Sequence, residues 1–522
     1  MKKEFNITGN CYPDQHYMMD NRAKLAGVIE LIERGKYFII NRPRQYGKTT
    51  TLFALHRILT QQEGYLPIRL DFQGVDEKWH VSDEAFARMF VRLTKDFLEF
   101  SSPDLYLFLE SQQNEVTDMG ELSRLLTRLA HKAVQKLVLL IDEVDASSNY
   151  EPFLRFLGML RNKYLDRYSP QNYTFHSVVL AGVHDIKSLK RKVREDDHAQ
   201  YNSPWNIATD FKVDMSFHPH EIAPMLVDYS AAEGVAIDIP AFADKLYYYT
   251  AGYPFLVSKL CKTVAEDILP QKAERIWTLD DLETAVQLLL RENNTLFDSL
   301  IKNLENHPNL YDLTYSIIVN GVRVPFDPHE PTISLGRLYG VFKENGTVKI
   351  HNRIYEQILY NYMVAKTFQA QLERKHPYLP VSYAQADGTL NLKGVLQRFQ
   401  QFLREQYSEK DQDFLEREWR LVFLAFFKPI LNGQGHDFKE VEISEEKRLD
   451  VVVTYHRNKY VIELKRWYGE AVHQRGLDQL ADYLDRQELE SGFLVIFEGQ
   501  KEKSGRQEEI LHRGKAIFAV WV

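Results

Sequence analysis

A chain of 522 residues exceeds one hydrophobic core and, at about 100–200 residues per domain, implies three or four units; 44% hydrophobic and 12% aromatic content excludes a disordered tether. A formal net charge of −8 excludes global attraction to nucleic acid, so any such binding depends on local basic clusters. Cys11 and Cys261 alone exclude a disulfide framework or a zinc site and point to a reducing compartment. Residues 1–10 carry two lysines without an apolar run behind them, and runs such as 137–141 are far short of a membrane span. The expectation is a cytoplasmic protein with no membrane partner.

In chain order, residues 37–41 (YFIIN) read as a strand, followed by a Pro/Gly-bearing turn and helical periodicity over 49–59. Strands follow at 66–72, 137–141 and 177–182, with an amphipathic helix over 83–99. This alternation predicts an α/β core with a mostly parallel sheet covered on both faces, over residues 1–214. Strand signals then fade, and residues 219–267 and 279–300 look helical around the break Gly252-Tyr253-Pro254, which predicts a helical lid over 215–299. Residues 300–369 combine helices with a hairpin turning at Glu344-Asn345-Gly346, as in a winged helix. Prolines at His376-Pro377 and Leu379-Pro380 mark a linker over 370–390. Residues 391–522 then read as a small α/β domain: two long helices up to 431, strands near 440–443, 449–455 and 460–464, a helix over 477–485, and strands at 493–497 and 515–521.

Arg42-Pro43-Arg44-Gln45-Tyr46-Gly47-Lys48-Thr49 lies between a strand and a helix, where backbone N–H groups and a helix N-terminus can cradle phosphates. The binding set is Arg44, Gln45, Tyr46, Gly47, Lys48, Thr49 and Thr50, with Lys48 on the β/γ-phosphates and Thr49 on Mg²⁺. Arg42 stands where G-x-x-x-x-G-K-[ST] has glycine, and Gly-Lys-Thr can also merely start a helix. A buried strand ending in Asp142-Glu143 complements the loop: Asp142 can hold Mg²⁺ and Glu143 can orient an attacking water, although two acids also suit a solvated strand end.

These segments resemble AAA-like ATPases related to the archaeal-ATPase and STAND branch of P-loop NTPases. The likeness is carried by residues 41–49, Asp142-Glu143, Leu180-Ala181-Gly182-Val183 and Thr250-Ala251-Gly252-Tyr253-Pro254, and covers roughly residues 5–368. It implies ATP as ligand and a γ-phosphate sensor near His184 or Asp185, neither of which is the usual small polar residue.

Near the C-terminus, Asp450 opens one β-branched strand and Glu463-Leu464-Lys465 lies in the next. Glu463 and Lys465 share a strand face. Two carboxylates and an ammonium suit a divalent cation, an activated water and developing phosphate charge, whereas alternating charge also suits a solvated face. Gln479 and Tyr483, four apart, share a helical face that can point at the cleft or pack with a polar edge. Arg448-Leu449-Asp450-Val451-Val452-Val453, Tyr460-Val461-Ile462-Glu463-Leu464-Lys465 and Gln479-Leu480-Ala481-Asp482-Tyr483 resemble the PD-(D/E)xK nuclease superfamily in the branch found behind AAA-like ATPases. The resemblance implies Asp450, Glu463 and a helical Glu418, with Glu416 as competitor, around Mg²⁺ or Mn²⁺, and roles for Lys465 and Gln479 in catalysis. Lys447, Arg448, Arg466, His473 and Arg475 can serve a polyanion or be surface charges. Arg337, Lys343, Lys349, His351 and Arg353 of the winged-helix candidate suit packing better than phosphate contact.

The expected function is an ATP-binding, ATP-hydrolysing switch controlling a metal-dependent DNA nuclease in prokaryotic defence or mobile-element control, with self-association left open. The alternative is a nucleotide-gated binding or signalling protein whose nuclease fold holds nucleic acid or a protein without cutting. A third reading keeps only the ATPase active, with the C-terminal domain as an assembly platform.

Overall fold

A computed structural model describes residues 2–183, 205, 207–318, 322–372, 385, 389–406, 422–423, 426–427, 438–439, 450–455, 458–467, 469–498 and 506–522. It forms two units, Met1–Leu310 with Pro325–Glu356, and Tyr311–Val324 with Gln357–Val522.

In the first unit, β1 (Tyr37–Asn41), β2 (Tyr65–Asp71), β3 (Lys136–Asp142) and β4 (Ser177–Gly182) form a parallel sheet in the order β1-β4-β3-β2. Side chains alternate across a strand, and these strands feed two cores: Tyr37, Ile39, Leu139 and Leu180 on one face, Phe38, Ile40, Leu140 and Val179 on the other. Helices α1 (Arg22–Glu33) and α2 (Lys48–Thr60) cover the second face through Val28, Ile32, Leu52 and Leu55. The first is covered by α3 (Asp83–Ser101), α4 (Pro103–Gln112), α5 (Met119–Lys132) and α6 (Glu151–Leu165). Ser82 caps α3 by accepting from Ala85 N–H, and Asp118 caps α5 by accepting from Gly120 and Glu121. Because β4 runs between β1 and β3, its C-terminal end lies between the loop after β1 and the acidic end of β3. In such open parallel sheets, ligands bind at the crevice beyond the strand ends.

The same unit continues with α7 (Pro219–Glu233), α8 (Ile239–Thr250), α9 (Pro254–Thr263), α10 (Leu279–Arg291) and α11 (Thr295–Asn306). Two two-residue strands, β5 (Ala236–Ile237) and β6 (Ile276–Trp277), pair in parallel among them, too short to leave a periodic signal. The chain passes between the units within α12 (Pro308–Ile318) and α14 (Arg353–Leu372). Between these, α13 (Pro331–Leu338) precedes an antiparallel hairpin of β7 (Phe342–Asn345) and β8 (Thr347–Ile350), turning at Gly346, φ 67°, with Asn345 paired to Thr347.

The second unit contains α15 (Leu392–Gln406) and a six-stranded mixed sheet in the order β13-β14-β12-β11-β10-β9. Its strands are β9 (Phe438–Lys439), β10 (Asp450–Tyr455), β11 (Asn458–Arg466), β12 (Ser491–Phe497), β13 (Gln507–His512) and β14 (Lys515–Trp521). β10 and β11 are antiparallel, whereas β11 and β12 are parallel, so a crossover is required and α16 (Glu470–Arg486) supplies it. Leu477, Leu480 and Leu484 of that helix pack with Val461, Leu494 and Ile496 of the sheet. The strand expected over 440–443 lies outside the described residues. Among the described residues, no helix is long and apolar enough to cross a membrane.

Candidate functional site

The loop between β1 and α2 is shaped by left-handed backbone at Gln45 and Gly47, φ 55° and 78°. Such alternation turns successive N–H groups toward one concavity, and the unpaired N–H groups opening α2 add their positive end. Lys48 is 6% exposed, and its Nζ donates to the carbonyls of Arg42 and Pro43 at 3.0 Å each. Burial pushes its pKa down, opposed by the carboxylates of Glu143, Asp145 and Asp142. Arg42, at the position where the usual pattern has glycine, directs its guanidinium away from the loop: Nη1 donates to Asn41 O at 2.9 Å and Nη2 to Val213 O at 2.8 Å, over the Phe211 ring. The arginine therefore braces the loop from behind.

The acidic end of β3 faces this loop. Asp142 is 2% exposed, and burial raises its pKa while the Thr49 hydroxyl and the Glu143 N–H lower it. Its Oδ1 accepts from Glu143 N–H at 2.9 Å, and Glu143 has left-handed backbone, φ 50°. Burial also raises the Glu143 pKa, against Lys48. Asp71, the register partner of Asp142 on β2, adds like charge. A hydroxyl and a carboxylate are hard oxygen donors, and a carboxylate held against its own ionisation gains from a cation, so Thr49 and Asp142 fit Mg²⁺.

Other contacts at the loop have no local sequence signal. The Tyr253 hydroxyl, in the α8–α9 break, donates to Arg44 O. The Tyr46 ring meets Tyr253 edge-on at 4.6 Å, and its hydroxyl pairs with Ser216 Oγ at 2.7 Å and His351 Nε2 at 3.3 Å. Gly340, φ 71°, abuts the loop itself: an added Cβ would lie 2.5 Å from Pro43 Cγ, so only glycine permits this approach. Thus the α8–α9 break, the turn after α13 and the residue after β8 all bear on the β1–α2 loop.

Burial, aided by Lys343 and opposed by Asp214, lowers the His351 pKa to about 4 from 6.5. The unfolded chain therefore protonates first as pH falls, and this histidine's contribution to stability is lost between pH 6.5 and about 4. Thermal melts should show a smaller loss over that window in His351→Gln than in the wild type. Parallel melting curves would remove His351 from the account.

In the second unit, Asp450 is the register partner of Glu463 across the β10–β11 hairpin. Glu463 is 1% exposed; its Oε1 lies 2.5 Å from Lys465 Nζ, while its Oε2 is buried with no hydrogen-bond partner among the described residues. Lys465 Nζ also donates to Gln479 Oε1 at 2.8 Å, so the crossover helix brings Gln479 to the strand pair. The Tyr483 hydroxyl, on the same helix, is likewise buried with no hydrogen-bond partner among the described residues, and burial raises its pKa to about 12. Glu416, Glu418, Lys447, Arg448, His184 and Asp185 lie outside the described residues. Among the described residues, no group of three or more His, Cys, Asp or Glu is placed to hold a metal.

The AAA-like domain family matches residues 12–361, well over half of the chain. The chain belongs to that family. Its AAA-like domain contains Lys48, Thr49, Asp142, Glu143, Tyr253 and His351, and membership supports nucleotide-dependent ATPase activity there. An uncharacterized WD repeat-containing protein of Synechocystis sp. is 23% identical over 395 residues, covering 71% of this chain and 31% of its own length. The chain therefore spans about a third of that curated relative. Among solved structures, the Thermotoga maritima RuvB Holliday junction branch migration motor is 14% identical, covers 72% of this chain and 100% of its own, and has a TM-score of 0.33. The Aeropyrum pernix ORC2 protein, in ADPNP-ADP complexes, is 11% identical over 69% of this chain and 96% of its own, with a TM-score of 0.37. A STAND protein with a tetratricopeptide repeat sensor from Pyrococcus horikoshii is 14% identical over 82% and 54%, with a TM-score of 0.28. The sheet β9–β14 lies beyond the matched AAA-like domain.

Proposed function

We propose that this chain is an ATP-hydrolysing switch that controls a metal-dependent DNA nuclease. In the AAA-like domain, Lys48 and the N–H groups of the loop hold the phosphates, Thr49 and Asp142 hold Mg²⁺, and Glu143 orients the attacking water. When bound, Mg²⁺ neutralises phosphate charge. Gly340 against Pro43, Tyr253 on Arg44 O and His351 on Tyr46 couple the loop to the α8–α9 helices and the winged-helix-like α13–β7–β8 segment. A change in what the loop holds is thereby passed to those elements.

One observation carries the nuclease half: the buried Glu463 carboxylate, with Lys465 on one oxygen and, among the described residues, no hydrogen-bond partner for the other, in register with Asp450. A buried carboxylate oxygen without a donor is costly, and a divalent cation offsets that cost. Asp450 and Glu463 would hold it, where it would polarise a phosphodiester. Lys465, steadied by Gln479, would face the charge that develops on the phosphate. Arg466, His473 and Arg475 lie on or beside the same strand and helix and suit a polyanion.

Purified protein should nick supercoiled plasmid in Mg²⁺ or Mn²⁺, at rates that differ among ATP, ADP and no nucleotide. Retention of DNA on a gel with no cleavage in any of these conditions would favour a nucleotide-gated binding protein.

A further inference from the structure

Beyond the residues that hold nucleotide in this reading, we infer that Asp145 is a positioning residue that clamps the end of β4 to the Glu143 turn and so fixes the catalytic end of the sheet. The inference rests on the ATPase reading above.

Residues 144–146 form a single 3₁₀ turn directly after Glu143. The β3–β4 pairing ends at Ile141 and Leu180, so beyond it the two strand ends have no ladder to hold them together. Asp145 closes that gap, because its Oδ2 accepts from the Val183 N–H at 2.5 Å. The approach depends on the residue before Val183: a Cβ on Gly182 would lie 2.9 Å from Asp145 Oδ1 and 2.9 Å from Val144 Cγ2. On the other side of β4, Arg42 N–H donates to Gly182 O at 3.2 Å. The phosphate loop, the end of β4 and the Glu143 turn are thus bracketed in one continuous chain of contacts.

The turn is anchored in its own right. Ser148 Oγ donates to Asp145 O at 2.9 Å, and Ser147 Oγ, fully buried, pairs with the buried His80 at 2.8 Å. A fixed turn and a fixed strand end leave Glu143 little freedom, which is what the orientation of an attacking water requires. The Asp145 carboxylate also acts on Lys48, after Glu143 and ahead of Asp142, which places it at the loop.

An amide oxygen can accept from Val183 N–H as a carboxylate does, so a clamp and a charge can be told apart. Steady-state ATP turnover and equilibrium binding of a fluorescent ATP analogue with Mg²⁺ should be measured for wild type, Asp145→Ala, Asp145→Asn and Gly182→Ala. Asp145→Ala and Gly182→Ala should lose about tenfold or more in kcat with nucleotide Kd within about threefold, whereas Asp145→Asn should stay within about threefold of wild type in kcat. Hydrogen exchange should show Val183 amide protection lost in the alanine variants and kept in Asp145→Asn. Wild-type kcat in Asp145→Ala, or an Asn variant as slow as Ala, would overturn the clamp. A wild type that binds nucleotide without turning it over refutes the ATPase reading alone, and Val183 protection then still decides the clamp. Should Asp145→Ala not fold, the Asn and Gly182→Ala variants carry the comparison.

Discussion

Replacing Lys48 with alanine should weaken MgATP binding by about a hundredfold or more and abolish turnover, as titration calorimetry and phosphate release would show. Lys48 is nearly buried and faces Asp142, Glu143 and Asp145. Truncating one partner of a desolvated, hydrogen-bonded charge pair between protein and ligand costs about 2–5 kcal/mol of binding, and each 1.4 kcal/mol is about tenfold in affinity. Lys48→Met should fail equally, because it keeps the stem and removes the charge. The substitution should also alter pH dependence. Burial already raises the Asp142 and Glu143 pKa values above 3.8 and 4.5, and Lys48 opposes that rise. A raised carboxyl pKa in the folded state means the unfolded chain releases its proton first, so this contribution to stability is lost as pH rises through the folded value. The nucleotide-free Lys48→Ala protein should therefore lose melting temperature on going from acidic to neutral pH more steeply than wild type. Wild-type nucleotide affinity in the alanine variant would remove the loop from phosphate binding.

How much of this was legible in the sequence depends on whether the information was local. Residues 37–41, 136–142 and 177–182 are strands buried on both faces, so they read as continuous apolar runs that end in Asn41, Asp142 and Gly182. The loop before α2 is likewise a contiguous motif. What Arg42 does in place of glycine was not legible, because its partner, Val213 O, lies far along the chain. The same holds for Tyr46, Ser216, Tyr253 and His351, four residues with no shared period that meet only once α7 to α9 and the β7–β8 hairpin are in place. β13 escaped because QEEILH is an exposed edge strand without apolar alternation. Asp145 was hidden by its neighbours: in Asp142-Glu143-Val144-Asp145 the first two acids explain the segment, and only the lack of room at Gly182 shows what the third does. At the C-terminal pair, the spacing of Glu463 and Lys465 is local, whereas the bond from Lys465 to Gln479 required the crossover helix to fold back.

That difference decides which substitution tests the second unit cleanly, and Glu463→Gln is the expected large effect. It should reduce metal-dependent plasmid cleavage by about a hundredfold or more, since charge on the metal and charge facing the phosphate carry most of such catalysis. It should leave the fold intact. Glutamine keeps the volume and an oxygen that Lys465 can donate to, and Lys465 retains Gln479 Oε1 at 2.8 Å. Lys465→Ala is a poorer probe, because it leaves the Glu463 carboxylate buried at 1% exposure without its cation. That cost, about 3–5 kcal/mol, is a large fraction of a domain's stability, so lost cleavage would report unfolding as readily as lost chemistry. Glu463→Gln combined with Lys465→Met removes both charges and separates the two outcomes: it should melt close to wild type and remain inactive. Metal titration followed by melting temperature provides a readout independent of cleavage. Mn²⁺ should raise the melting temperature of the wild type more than that of Glu463→Gln, because the buried Oε2 gains a partner only when the carboxylate is charged. Equal shifts in both proteins, together with unchanged cleavage, would remove Glu463 from any metal site.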